Sequence, residues 1–124
     1  MGYTRHNAII VSASYGQRVT EGEHWAVIAH SKAVELFGDI AAVTEVTPTT
    51  MNNYRSFLVA PDGSKEGWDL SDSGDAARDA FVTWLREQAY DDGSSPLDWV
   101  EVQFADDDRE TCIIRCDDEV EAEV

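Results

Sequence analysis

Apolar side chains recur along this chain with two periods, and the switches between them mark out its elements. Residues 8–13 (Ala-Ile-Ile-Val-Ser-Ala) form a short continuous apolar run, which predicts a central strand flanked on both sides. From about 21 to 37 the apolar positions Trp25, Ile28, Ala29, Ala33, Leu36 and Phe37 follow helical spacing. Thr20 and Glu23 have capping-box spacing ahead of that helix, and Gly38 stands where a C-cap glycine belongs.

Residues 40–47 (Ile-Ala-Ala-Val-Thr-Glu-Val-Thr) are rich in β-branched side chains and predict a second strand. A polar loop from Pro48 to Asn53 leads to a third strand over 54–60, and the two read as an antiparallel hairpin with a long tip. The stretch 61–74 is rich in Gly, Asp and Ser and reads as a loop. A second helix is expected over about 73–90, with the stripe Ala77, Phe81, Trp84, Leu85 and Ala89, and with Asp72 and Asp75 favouring its N-terminus through the dipole. Residues 98–105 alternate, with Val100, Val102 and Phe104 on one face and Trp99, Glu101 and Gln103 on the other. Residues 110–116 place Cys112, Ile114 and Cys116 opposite Thr111, Ile113 and Arg115, and the pair makes a hairpin.

The resulting order, β-α-β-β-α-β-β, predicts an α+β two-layer sandwich. Both helices lie on one face of a mostly antiparallel sheet, and a ferredoxin-like core with an added C-terminal strand fits that order. Residues 1–116 form the single domain, and 117–124, with five acids among eight residues, form an acidic tail expected to fray. A hydrophobic fraction of 43% and four Trp are enough for a real core in 124 residues.

Charge changes the picture most. The chain carries a net charge of −16, and its distribution is lopsided: residues 1–56 hold four basic and five acidic side chains, residues 57–124 five basic and twenty acidic. A polyanion is a poor partner for such a chain, because nucleic-acid affinity comes from Lys and Arg displacing counterions. Direct binding to nucleic acid or to an anionic membrane is therefore disfavoured, and a basic protein partner, met through salt-sensitive steering, becomes the expected one. Solubility alone is the other reading of an acidic surface. No run approaches the ~20 apolar residues of a membrane-spanning helix, and no signal pattern is read at the N-terminus, so a cytoplasmic location is expected. Cys112 and Cys116 lie four apart in one predicted strand, roughly 13 Å in an extended chain. A disulfide needs Cα atoms within about 7 Å, so buried free thiols are expected.

The motifs tested for chemistry give no reaction. With Asp69 as position 1 of a calcium loop, Ser71, Ser73 and Gly74 fall into place, but position 12 is Ala80 where a bidentate Glu is required. His24 and His30 are six apart in the first helix, on different faces, and do not make a two-ligand metal site; surface or boundary positions are expected for them. Ser12-Ala-Ser14-Tyr-Gly16 is not a nucleophile elbow, and Gly63, Gly67 and Gly74 match neither a Walker loop nor a dinucleotide fingerprint. Neither a cofactor nor a metal is expected. Trp68, flanked by Gly67 and Asp69, suits either an interface anchor or a loop Trp folded back over the sheet.

The run Met1-Gly-Tyr-Thr-Arg-His-Asn-Ala8, the stretch Phe57 to Asp69 and the segment Ser94 to Val102 resemble small acidic proteins of unknown function from bacteriophages that infect Actinobacteria. The composition, seven Arg to two Lys with abundant Asp and Ala, has the same character. The resemblance implies a phage accessory protein acting in the host bacterial cytoplasm and carries no site residues with it.

The expected function is that of a non-enzymatic protein that binds a basic host or phage protein through an acidic face, with nucleic-acid mimicry as a special case. The candidate contact residues are Trp68, Asp69, Asp72, Asp75, Asp91, Asp92, Asp106, Asp107 and Asp108. The alternative is a small enzyme with an unrecognised carboxylate or histidine site, for which Tyr15, His24, His30 and Asp69 come first. A homodimer paired through a sheet edge is a third reading.

Overall fold

In the computed structural model of the chain, the residues described are 6–13, 24–48, 53–61, 69–89, 94–104 and 112–117. They form β1 (His6–Ala13), α1 (Trp25–Phe37), β2 (Arg55–Val59), α2 (Asp69–Glu87), β3 (Leu97–Phe104) and β4 (Cys112–Cys116). The fold is α+β: a four-stranded antiparallel sheet in the order β2-β1-β3-β4, with two helices.

The apolar run of β1 earns its central place, since it pairs with β2 on one side and with β3 on the other. Ile9 stands between Val59 and Glu101, Val11 between Phe57 and Trp99, and Ala13 between Arg55 and Leu97. Successive strand residues point to opposite faces, so this register puts Ile9, Val11, Phe57, Val59, Leu97 and Trp99 on one face, where all are buried. Both helices cover that face. The His30 ring of α1 meets Phe57 edge-on at 5.3 Å, and the Arg86 guanidinium of α2 lies 5.4 Å from the Trp99 ring centre. The helices join through Phe37 and Phe81, whose rings meet edge-on at 6.0 Å, and Phe81 stacks on Trp84. Each fully buried side chain of this size contributes roughly 1.5–3 kcal/mol of transfer free energy.

Helix α1 begins at Trp25, later than its periodicity suggests, because His24 caps it: the Ala26 N–H donates to His24 Nδ1 at 3.0 Å. Thr20 and Glu23 lie outside the described residues. Gly38 closes the helix as expected, with φ 48° and its N–H bonded to the Val34 carbonyl; a side chain there has room but not the backbone conformation. Helix α2 begins at Asp69, four residues earlier than expected, with Asp69 and Asp72 in its first turn, so the aspartates favour an earlier start and Asp75 belongs to the second turn. Residues 69–80 are therefore helix throughout and not a calcium loop.

Residues 40–47 do not form the predicted strand. The segment runs antiparallel beside β2 but keeps one ladder bridge, Val43 to Val59. Its bonding explains the loss. Thr44 and Thr47 donate their backbone N–H groups to the carbonyls of Leu58 and Ser56, yet the returning N–H groups of Leu58 and Ser56 go to the threonine hydroxyls, at 2.9 and 3.0 Å. Side-chain oxygens have replaced main-chain carbonyls, a competition threonine is suited to.

Strand β4 also departs from its expected alternation. Val100 and Glu101 face Cys116 and Arg115, but Val102 and Gln103 face Ile113 and Cys112, which leaves Ile114 as an extra, bulged residue. Cys112 and Cys116 are free, as expected, but Cys112 is exposed and Cys116 half-buried, because β4 is the outermost strand on its side. Asp117, assigned to the tail, is tied in by its N–H to the Trp99 carbonyl; 118–124 lie outside the described residues. Among the described residues, no helix is long and apolar enough to cross a membrane.

Candidate functional site

The face of β3 that packs under the helices carries Trp99 and then Glu101, a carboxylate only 2% exposed. Its position follows from register: Glu101 shares parity with Trp99 and Leu97, so the alternation that buries the Trp also buries the acid. The surrounding elements supply its partners. The bulge in β4 sets Arg115 opposite Glu101, and the guanidinium reaches back to Oε1 through Nε at 2.8 Å and Nη2 at 2.7 Å. From β1, Asn7 Nδ2 donates to Oε2 at 3.0 Å. From α2, Arg78, itself 4% exposed, brings Nε to 3.8 Å from Oε2, an ion-pair distance too long for a hydrogen bond.

Both arginines have a second carboxylate. Arg78 Nη2 donates to Asp75 at 2.7 Å, one helical turn back, and Arg115 Nη1 lies 2.9 Å from Asp79. The result is an alternating chain of charge, Asp75–Arg78–Glu101–Arg115–Asp79, buried at its centre and half-exposed to exposed at its ends. Burial pulls the Arg115 guanidinium down, but hydrogen bonds and charge from Glu101, and then from Asp79, outweigh it and hold Arg115 above the ordinary arginine value. It is a permanent cation.

A cleft of about 430 Å³ opens over this chain. Asn7, Glu101 and Gln103 form its floor, Asp75, Arg78 and Asp79 one wall, and Ile114 and Arg115 the other. Asn7 and Gln103 are direct cross-strand neighbours. One polar atom here has no partner: Asn7 Oδ1 is buried and makes no hydrogen bond. The amide orientation follows from its neighbour, since an ionised carboxylate only accepts, which commits Nδ2 to Glu101 and leaves Oδ1 over. Such an atom costs roughly 1–3 kcal/mol of desolvation. A second hollow of about 230 Å³ lies at the other end of α2, between Leu85, Arg86 and Trp99.

No family model, curated protein or solved structure matches this chain.

Of the predicted contact residues, Asp69, Asp72 and Asp75 lie together on α2. With Asp79 they recur every three or four residues, which puts all four on one flank of the helix, directly beside the cleft. Trp68, Asp91, Asp92, Asp106, Asp107 and Asp108 lie outside the described residues, as does Tyr15. The histidines have structural work. His24 is buried and not at the surface: Nδ1 accepts the cap bond, and Nε2, 2.7 Å from the Asn53 carbonyl, carries the proton and donates it. Asn53 holds a left-handed φ of 63°, which asparagine tolerates better than other side chains. Among the described residues, no group of three or more His, Cys, Asp or Glu is placed to hold a metal ion.

Asn7, Arg78, Asp79, Glu101 and Arg115 were not singled out by motif or periodicity. A signal for them existed: Trp99 had to be buried, and Glu101 and Gln103 share its parity.

Proposed function

We propose that this protein is a non-enzymatic binding module that docks on a basic protein through the acidic flank of α2. The observation that carries this reading is the alignment of Asp69, Asp72, Asp75 and Asp79 on one side of a single helix; Asp75 and Asp79 are partly offset by Arg78 and Arg115, so Asp69 and Asp72 supply most of the field an approaching cation meets. Asp69, Asp72 and Asp79 are exposed and Asp75 is half-exposed, so the field faces solvent. A partner in the host bacterial cytoplasm is what the resemblance to phage proteins of Actinobacteria implies. The sheet order, with segment 42–47 bridged outside β2 and β4 added outside β3, supports a ferredoxin-like core carrying one extra C-terminal strand.

Nucleic-acid mimicry is a narrower form of the same proposal. The flank offers four carboxylates over eleven residues, about 15 Å of helix from first to last. A duplex presents about nine phosphates over that length, so this flank alone matches a sparser polyanion. The enzyme reading has less support. His24 is committed to the α1 cap, His30 packs on Phe57, and neither lines the cleft.

The test is capture from a bacterial lysate at low and at high salt, with three forms of the protein. The unaltered chain is expected to retain a salt-sensitive basic partner. The variant Asp69→Asn/Asp72→Asn/Asp79→Asn is expected to lose it. A charge-matched control, Glu35→Gln/Asp39→Asn/Glu45→Gln, removes three exposed acids from elsewhere and is expected to keep it. Equal loss in both variants would reduce the acidic flank to a contribution to net charge.

A further inference from the structure

Among the described residues, the cleft beside the acidic flank carries one more carboxylate than guanidinium, and one buried oxygen there meets no donor. Its described lining holds three carboxylates, Asp75, Asp79 and Glu101, against two guanidiniums, Arg78 and Arg115. Its floor holds the one buried side-chain oxygen among the described residues that no donor meets, Asn7 Oδ1, on a residue 4% exposed. An anion is disfavoured by sign, since the described lining is already net negative and Asp72 and Asp69 continue the same flank. A neutral donor would satisfy Asn7 but leave the charge imbalance. A cation carrying N–H groups answers both.

We infer that the cleft is a receptor for an arginine side chain of the basic partner, an inference that rests on the docking reading above and specifies where one partner residue goes. Guanidinium suits the site better than ammonium on two counts. It is more weakly hydrated, so entering a half-enclosed cleft costs it less, and its planar fork lets one N–H reach Asn7 Oδ1 while others meet the rim carboxylates. Asp79 is the natural rim contact, because its side chain is 69% exposed and only its Oδ1 is paired with Arg115. Asn7 Oδ1 is sealed from water in the unliganded geometry. Admitting the donor requires a lining side chain to turn aside, and Gln103, the half-buried cross-strand neighbour of Asn7, is the one assigned that movement.

The probe is a capped tripeptide, acetyl-Gly-Arg-Gly-amide, titrated into the full-length ¹⁵N-labelled protein, alongside the same peptide with lysine and with citrulline, the neutral isostere of arginine. The arginine peptide is expected to shift the side-chain amide signals of Asn7 and Gln103 and the backbone amides of Glu101 and Arg115. The lysine peptide is expected to bind at least threefold more weakly, and the citrulline peptide at least tenfold. Asp79→Asn, at an exposed position, is expected to weaken the arginine peptide about fivefold. Asn7→Leu, checked for folding by its backbone spectrum, is expected to abolish the shifts at Glu101 and Gln103.

Citrulline binding equal to arginine would overturn the inference, as would arginine binding that leaves the Asn7 and Gln103 amides unmoved. If arginine binding depends on Asp69 and Asp72 but is indifferent to Asn7→Leu and Asp79→Asn, the cleft assignment fails while flank docking survives. If the cleft responds to the peptide but the triple flank variant still captures its partner from lysate, docking through the flank fails and the cleft stands alone.

Discussion

Replacing Glu101 by Gln tests whether the buried charge chain organises this end of the molecule. The substitution keeps shape and removes one negative charge from a site 2% exposed. Arg115 then loses the acceptor of its two shortest contacts, at 2.7 and 2.8 Å, and Arg78 loses a carboxylate at 3.8 Å. The new amide can keep its oxygen on Arg115 and turn its NH₂ to Asn7, whose amide flips to accept through Oδ1, but Arg78 Nε then faces an NH₂ where it had a carboxylate oxygen. Breaking a buried ion pair by removing one partner costs about 3–5 kcal/mol. Arg78 retains Asp75 and Arg115 retains Asp79, so the lower end of that range, about 3 kcal/mol, is expected. A domain of this size is stable by roughly 6–19 kcal/mol, which leaves the variant folded. With a urea slope of about 2 kcal/mol per molar, the midpoint falls by about 1.5 M, read by tryptophan fluorescence. A second arm separates lost attraction from stranded charge. Glu101→Leu/Arg115→Met removes a stranded cation as well and is expected to be at least ~1 kcal/mol more stable than Glu101→Leu alone. A midpoint shift under about 0.3 M for Glu101→Gln would mean that the carboxylate is solvated and the charge chain stabilises little.

Three further outcomes follow from the same geometry. His24→Ala removes the α1 cap and its tether to the Asn53 carbonyl and is expected to cost about 1 kcal/mol, a fall of roughly 4 °C in Tm by circular dichroism, while His24→Asn recovers most of it by capping alone. Because Arg115 is held above the ordinary arginine value in the fold, its stabilising contribution is complete through neutral and moderately alkaline pH and is lost only as pH climbs past that raised value; Arg115→Lys, with an ordinary lysine pKa of about 10.4, is expected to show a stability deficit that widens above about pH 10.5 in urea titrations at stepped pH. Cys112, exposed on the outer strand, is expected to react with Ellman's reagent in the native protein at least tenfold faster than half-buried Cys116, and equal slow rates would place β4 under cover.

The parts of the fold legible in the sequence are those where one period dominates. The apolar run 8–13 and the stripes through Phe37 and Phe81 became β1, α1 and α2 because burial on one face decides them. Segment 40–47 misled because β-branched composition is shared by strands and by threonines that bond through their hydroxyls; only the partner strand's N–H groups decide which, and those lie in Ser56 and Leu58. The start of α2 was hidden by Ser and Gly in 71–74, residues that read as loop yet sit in the helix behind two well-placed aspartates. The acidic flank was half visible, through Asp69, Asp72 and Asp75. The charge chain was not, since its members come from β1, α2, β3 and β4 and meet only in three dimensions, and the bulge at Ile114 that aims Arg115 at Glu101 has no sequence marker.

The threonine-bonded segment beside β2 has a consequence for self-association. It occupies one margin of the sheet with backbone that lacks a regular pleat, and so offers an incoming strand a poor template there. Cys112–Cys116 lines the opposite margin. Among the described residues, strand addition would therefore find a regular template on one margin only, so two copies meeting there would use up each other's capacity and stop at a closed pair, without running on into a fibre.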